Sequence, residues 1–367
     1  MTATPSTFAT TVARLHAELA RDGLPVADMR RAPSLELHLA GAPSGAARPA
    51  ERPTPIEPLE GPIEARPVTR VAPGASRLRY FLDGAQRTFL VWRCGLVPVT
   101  ATVAAAAVLV RDGAGRCAVV PGTLRLEHAW LIPRRLPTPE LGELLRRIDG
   151  VGMTVADPLE RVADDADYAA AAGDYGRLVE LAYDRARAVR EGLERRLLRE
   201  WASHPDRAGD DGWIVVDGRL HAVAPRAVGL VKQFGDRYLA GADAETLLGL
   251  APGQRTTAFR PTDRYRGAGL TPDADGGEPA PEARTLWYLR LWDATGLDAR
   301  HALIRVEAGP EVRDAAQIDE LSSWLLAERT PRATGDERWA TLLYPVHYLE
   351  RILKRRLEAD TRGWPSS

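Results

Sequence analysis

The sequence predicts an α/β protein with one mixed sheet covered by helices. Three observations predict it. A meander of apolar, alternating segments runs from Leu78 to Val120, and a long helical pattern follows from about Ala169 to Trp201. A short, wholly apolar strand, Trp213–Val216, then opens a stretch of mixed α/β character that continues to the C-terminus.

Taken in order, residues Thr7 to Asp22 carry Phe8, Val12, Leu15 and Leu19 at helical spacing. The chain from Ala42 to Pro73 is rich in Pro, Ala, Gly and Arg, and reads as an extended linker or a strap over the surface. Residues 1–77 are therefore assigned to a helix and linker, and 78–367 to the main domain. In the meander, Leu78–Leu82 is a short strand ending in Asp83-Gly84, Thr88–Trp92 is a second, and Val97–Val110 a third. Asp112-Gly113 makes a hairpin turn into Arg116–Val120. Prolines between Pro133 and Pro139 mark a break. Val228–Lys232 is another apolar strand segment, and Gly267–Glu282 is an acidic loop rich in Pro and Gly. Leu286–Trp292 and Ala302–Val306 read as a strand pair; Ile318–Ala327 and Val346–Leu357 read as helices.

Composition narrows the function classes. The 367 residues suffice for a large core, and 45% hydrophobic with 27% charged residues is ordinary for a globular chain. No apolar run approaches the roughly 18 residues of a membrane span. Cys94 and Cys117 are the only cysteines and form no CxxC pair, which argues against a thiolate zinc site. With no signal-peptide pattern at the N-terminus, a reducing cytoplasm is the expected compartment. Lys232 and Lys354 are the only lysines in an arginine-rich chain, which draws attention to their two ammonium groups.

Two segments share a pattern: Tyr80-Phe-Leu-Asp83-Gly84 and Ile214-Val-Val-Asp217-Gly218. An apolar strand buried on both faces has no place for a carboxylate until its end. Asp-Gly is also a common hairpin turn, which is how Asp112-Gly113 reads. If the two strands are neighbours, however, two carboxylates meet, and like charges that close repel unless a cation lies between them. Mg²⁺ or Mn²⁺ prefers such oxygen donors. A third acid joins them on helical geometry. Advancing about 100° per residue along Leu178–Trp201 puts Leu178, Ala182, Ala186, Val189, Leu193 and Leu197 on one stripe, with Glu200 near its middle. Glu180, Glu191 and Glu194 fall on flanking or far faces. A core-facing Glu200 requires an arginine, solvent at a frayed helix end, or a cation shared with Asp83 and Asp217.

On these residues the chain resembles the NurA nucleases, which have a ribonuclease H-like core and work with a HerA-type hexameric ATPase. In that family a strand ends in Asp-Gly, a helix supplies a glutamate, and a later strand ends in a second Asp-Gly. Asp83-Gly84, Glu200 and Asp217-Gly218 match that order. Gly229-Leu-Val-Lys232 resembles the family's apolar strand ending in lysine, and Leu343-Tyr344-Pro345 its Tyr-Pro helix start. The family usually places a histidine about two turns into that helix. Here Ile352 stands near there, flanked by Arg351 and Lys354, and His347 or Glu350 is left to take the polar role.

The resemblance implies a Mn²⁺- or Mg²⁺-dependent DNA nuclease with Asp83, Glu200 and Asp217 on the metal, and Lys232 and His347 as further catalytic residues. It also implies a homodimer, a HerA-like translocase as partner, no membrane, and a role in DNA end processing or phage defence. The chain has no GxxxxGK[ST] motif, so translocation energy would come from the partner. Arg255, Arg260, Arg264 and Arg266 with Phe259 and Tyr265 form a combination suited to a DNA strand, or a solvated loop. Rival readings are an inactive member acting as a DNA-binding or scaffold subunit, another ribonuclease H-like enzyme cutting RNA or hybrid, and an α/β domain whose Asp-Gly pairs are only turns.

Overall fold

The structure, a computed structural model, describes residues 7–29, 31–36, 53–69, 75–136, 138–151, 153–207, 209–220, 222, 224–232, 238–262, 284–329 and 339–363. Its strands are β1 (Ala27–Asp28), β2 (Ile56–Pro58), β3 (Ala65–Pro67), β4 (Leu78–Cys94), β5 (Val97–Arg111), β6 (Cys117–Val119) and β7 (Arg125–Leu131). They continue as β8 (Thr154–Ala156), β9 (Trp213–Asp217), β10 (Ala227–Val231), β11 (Gln254–Thr256), β12 (Phe259–Pro261), β13 (Thr285–Arg290) and β14 (Leu303–Ala308). The helices are α1 (Phe8–Arg21), α2 (Pro139–Gly150), α3 (Asp165–Ala172), α4 (Tyr175–Ala202), α5 (Ala242–Leu248), α6 (Ala315–Glu328) and α7 (Tyr344–Asp360).

All the strands join one mixed sheet with the main order β2-β12-β13-β14-β10-β9-β4-β5-β7-β8. Its centre is β4, antiparallel to β5 on one side and parallel to β9 on the other; β10 runs parallel to β9. The expected α/β class holds. The meander holds with one difference: Leu78–Leu82 and Thr88–Trp92 are not two strands. They are halves of a single 17-residue strand, β4, with Asp83-Gly84 in its interior. Gly84 is no turn because β5 pairs straight through it, Asp83↔Ala107 and Gly84↔Ala106.

Side chains alternate across this sheet. Phe81, Ala85 and Phe89 of β4, Val99 to Leu109 at odd positions of β5, and Val215 of β9 pack with α1, α2, α6 and α7. Tyr80 and Leu82, Ala104 and Ala106, and Ile214 and Val216 pack beneath α4. The alanines of β5 leave room for helices to sit close on both faces.

Of the segment expected as a linker or strap, the described residues 53–69 are tied into the sheet. β2 pairs with β12 and β3 with β11, and the buried Arg255 of β11 reaches back to Glu60 at 2.7 Å. Likewise α1 buries Phe8, Val12, Leu15 and Leu19 in the main core. The acidic 267–282 loop lies outside the described residues.

Candidate active site

The site follows from a mismatch of strand lengths. β4 pairs with β5 along its whole length but with β9 only from Leu78 to Leu82. β9 stops at Asp217, where Gly218 turns the chain away at φ 112°, a conformation that favours glycine. From Asp83 onward β4 outruns its neighbour. The last registered pair is Leu82↔Val216, so Asp83 and Asp217 are the next residues on two adjacent parallel strands. Alternation puts both on the α7 face, with Phe81 and Val215.

The turn after Asp217 is held from the far side. Gly218 donates its N–H to the Leu230 carbonyl at 2.9 Å, and the chain crosses β10 at Gly229. A Cβ on Gly229 would lie 2.7 Å from the Leu220 nitrogen, so only glycine fits there. Glu307 of β14 then accepts the Leu220 N–H at 3.0 Å. Burial works to raise the Glu307 pKa, but Arg305, Arg284 and Arg219 outweigh it and hold the group ionised.

Asp83 is 4% exposed. Its Oδ1 accepts the Gly84 N–H at 2.8 Å, while Oδ2 is buried without a partner. Burial pushes its pKa well above the ordinary carboxylate range; the charges of Asp217, Glu194 and Glu350 push the same way and Lys232 opposes them. Lys232, just past β10, places Nζ 2.7 Å from both carboxylate oxygens of Asp217. Glu350 on α7 pairs with Lys354 at 2.9 Å. The chain's only two lysines thus each pair with a carboxylate of this cluster.

Glu194 of α4 reaches the same place from the other face of the sheet. Its Oε1 lies 2.0 Å from where a Cβ on Gly84 would stand, so the glycine after Asp83 makes space for this carboxylate. Glu194 is buried and accepts from Arg190 at 2.6 Å. Burial raises its pKa to about 7, against the lowering effect of Arg190 and with the help of Glu191 and Asp217.

The expectations resolve as follows. Asp83, Asp217 and Lys232 come together. His347 stands beside the cluster, its buried Nδ1 without a hydrogen bond and 3.9 Å from Glu350. Glu200 does not join: its side chain is 57% exposed and pairs with Arg125 at 3.1 Å, two strands away from β4. The physical reason is that the buried face of α4 rotates. Its early turns bury Leu178, Ala182 and Ala186, but its last turns bury Glu194, Leu197, Leu198 and Trp201, about 100° further round. Long helices crossing a twisted sheet do not keep one stripe against it. The signal that finds Glu194 is its spacing to Leu197, Leu198 and Trp201, together with Arg190 one turn before. The arginine-aromatic cluster also separates. Arg255 is fully buried between Glu60 and Asp319, Phe259 is in the core, and Arg260 donates to the Pro310 carbonyl. Arg264, Tyr265 and Arg266 lie outside the described residues.

Among the described residues, no three carboxylate, imidazole or thiolate groups form a ready-made metal cage. The donor chemistry nevertheless fits a hard divalent ion. Several carboxylates converge in a small-residue notch, and one buried oxygen of Asp83 is unsatisfied. No family model matches this chain, and no curated protein matches it.

Proposed function

We propose that this chain is a divalent-metal-dependent DNA nuclease of the NurA type, with its site built from Asp83, Asp217, Glu194 and Lys232. The observation that carries the reading is the pairing of Asp83 and Asp217 where β4 outruns β9, with Asp83 Oδ2 buried and unpartnered. A buried carboxylate beside a second carboxylate is costly, and a Mg²⁺ or Mn²⁺ ion offsets that cost. The strand order β7-β5-β4-β9-β10, three antiparallel strands followed by two parallel to the first, supports a ribonuclease H-like core.

Asp83, Asp217 and Glu194 would hold the ion. When bound, it supplies charge stabilisation for the scissile phosphate and a more acidic attacking water. Lys232 forms an ion pair with Asp217 and offers a point cation to a phosphate oxygen. Arg190 keeps Glu194 oriented towards Gly84. His347 and Glu350 sit at the edge, where they contact a substrate entering along α7. A HerA-like hexameric ATPase and a second copy of the chain are the proposed partners, in the cytoplasm. No described helix is long and apolar enough to cross a membrane.

The test is cleavage of end-labelled DNA with Mn²⁺ or Mg²⁺, run against RNA and hybrid substrates. Asp83→Asn and Asp217→Asn should abolish cutting while circular dichroism stays that of the wild type. Wild-type rates in either variant would sink the reading. One observation favours the inactive, DNA-binding alternative: Lys232 and Arg190 already neutralise Asp217 and Glu194. Calorimetric titration with Mn²⁺ separates the two, since a silent site gives no heat that depends on Asp83.

A further inference from the structure

Arg190 stands between two carboxylates of unlike burial. One guanidinium nitrogen donates to Glu194 Oε1 at 2.6 Å, and the other lies 3.5 Å from Glu191 Oε1. The Glu194 side chain is 3% exposed and that of Glu191 29%, so one acid belongs to the buried cluster and the other to the flank of α4. Two other pairs within the helix, Arg177–Glu180 and Arg187–Asp184, join exposed partners only. Glu194 Oε1 is also the atom nearest the space over Gly84, beside Asp83. An ion shared by Asp83 and Glu194 therefore needs the oxygen that Arg190 already holds. Asp217 is held likewise by Lys232, 2.7 Å from each of its oxygens. Among the described residues Lys232 has no second ion-pair partner, whereas Arg190 has one within reach.

We propose that Arg190 is a positioning residue that exchanges carboxylates when a divalent ion is bound. It holds Glu194 over Gly84 in the metal-free protein and moves to Glu191 when the ion takes Glu194. The proposal rests on the metal site of the nuclease reading and deepens it by naming how that site is kept closed and then loaded. The physical case is a competition for one oxygen. A divalent ion attracts Glu194 about twice as strongly as a guanidinium at equal distance. It would still not displace Arg190 if the guanidinium were left buried and unpaired, which is costly. Glu191, one residue along the same helix, removes that cost. An ion pair is kept while the arginine charge moves outward, away from the incoming cation that repels it.

Calorimetric titration of the full chain with Mn²⁺, without DNA, follows the exchange apart from cleavage. Glu191→Gln should weaken Mn²⁺ binding roughly fivefold to tenfold, because Arg190 loses the place it moves to. Loss of a nearby negative charge alone would also weaken binding, but by the same factor whatever stands at position 190. The exchange requires the Glu191→Gln effect to shrink to about twofold or less in an Arg190→Gln background. An equal effect in both backgrounds, or none in the wild type, overturns the proposal and leaves the metal site standing. If Arg190→Gln does not fold, a structure of the wild type with Mn²⁺ bound decides the same point. The guanidinium should then lie on Glu191, and one still on Glu194 overturns the exchange. Mn²⁺ heat that is unchanged by Asp83→Asn places the ion elsewhere, and ends the nuclease reading and the exchange together.

Discussion

Gly84→Ala tests the packing of the cluster most directly. The new Cβ would lie 2.0 Å from Glu194 Oε1, 2.8 Å from its Cδ and 2.9 Å from its Cγ. Ordinary contact begins near 3.4 Å, so the carboxylate must retreat by about 1.4 Å (3.4 − 2.0). That retreat breaks the 2.6 Å contact with Arg190. Overpacking alone costs about 1–3 kcal/mol. Losing a buried ion pair outright costs about 3–5 kcal/mol, but Arg190 keeps some solvent contact and the loss is at the low end or below. A total near 3 kcal/mol corresponds to a fall of several degrees in melting temperature. The assay is thermal melting of Gly84→Ala, Glu194→Ala and the double variant. Removing the Glu194 carboxylate vacates the space, so the double variant should be more stable than the sum of the singles predicts, with a coupling of about 1–3 kcal/mol. Mn²⁺-dependent cleavage should be lost in all three. A Gly84→Ala protein that melts and cuts like the wild type would refute the placement of Glu194 over the Asp83 strand.

Three further outcomes follow from the same geometry. Burial holds the Asp83 proton well above the ordinary carboxylate range and the Glu194 proton near pH 7, so the folded protein keeps protons that the unfolded chain has shed. The unfolded state then binds fewer protons, and this contribution to stability is lost as pH rises from about 4.5 to about 7. Asp83→Asn should therefore be more stable relative to metal-free wild type at pH 8 than at pH 4.5, and a melting difference that ignores pH would contradict the shift. Glu200→Ala should change stability by no more than about 0.5 kcal/mol and leave cleavage intact, as expected of an exposed ion pair; a dead enzyme would restore Glu200 to the site. Glu307→Gln should destabilise by about 3–5 kcal/mol in urea unfolding, because it leaves Arg305 and Arg284 buried without their counter-charge and loosens the turn after Asp217; a variant as stable as the wild type would show that this buried group holds nothing.

What the sequence determined by itself was the set of strongly apolar strands and the two Asp-Gly acids that they carry. Val97–Val110, Trp213–Val216 and Val228–Lys232 are apolar enough to have no other stable place than a buried sheet. Asp83 and Asp217 were legible because a carboxylate inside such a run is expensive and needs a reason. The two lysines stood out by rarity alone, and both found a carboxylate of the cluster. Tertiary structure decided the rest. Whether Gly84 was a turn or a space for another side chain depended on β5 pairing through it and on a helix lying above. Which glutamate of α4 faced that space depended on how a 28-residue helix crosses a twisted sheet, and a single helical stripe drawn along it pointed to Glu200 instead of Glu194. Periodicity is a local property of one element, whereas the face an element buries is fixed by its neighbours. A carboxylate cluster assembled from two strands, two helices and a loop is settled only when those neighbours are in place.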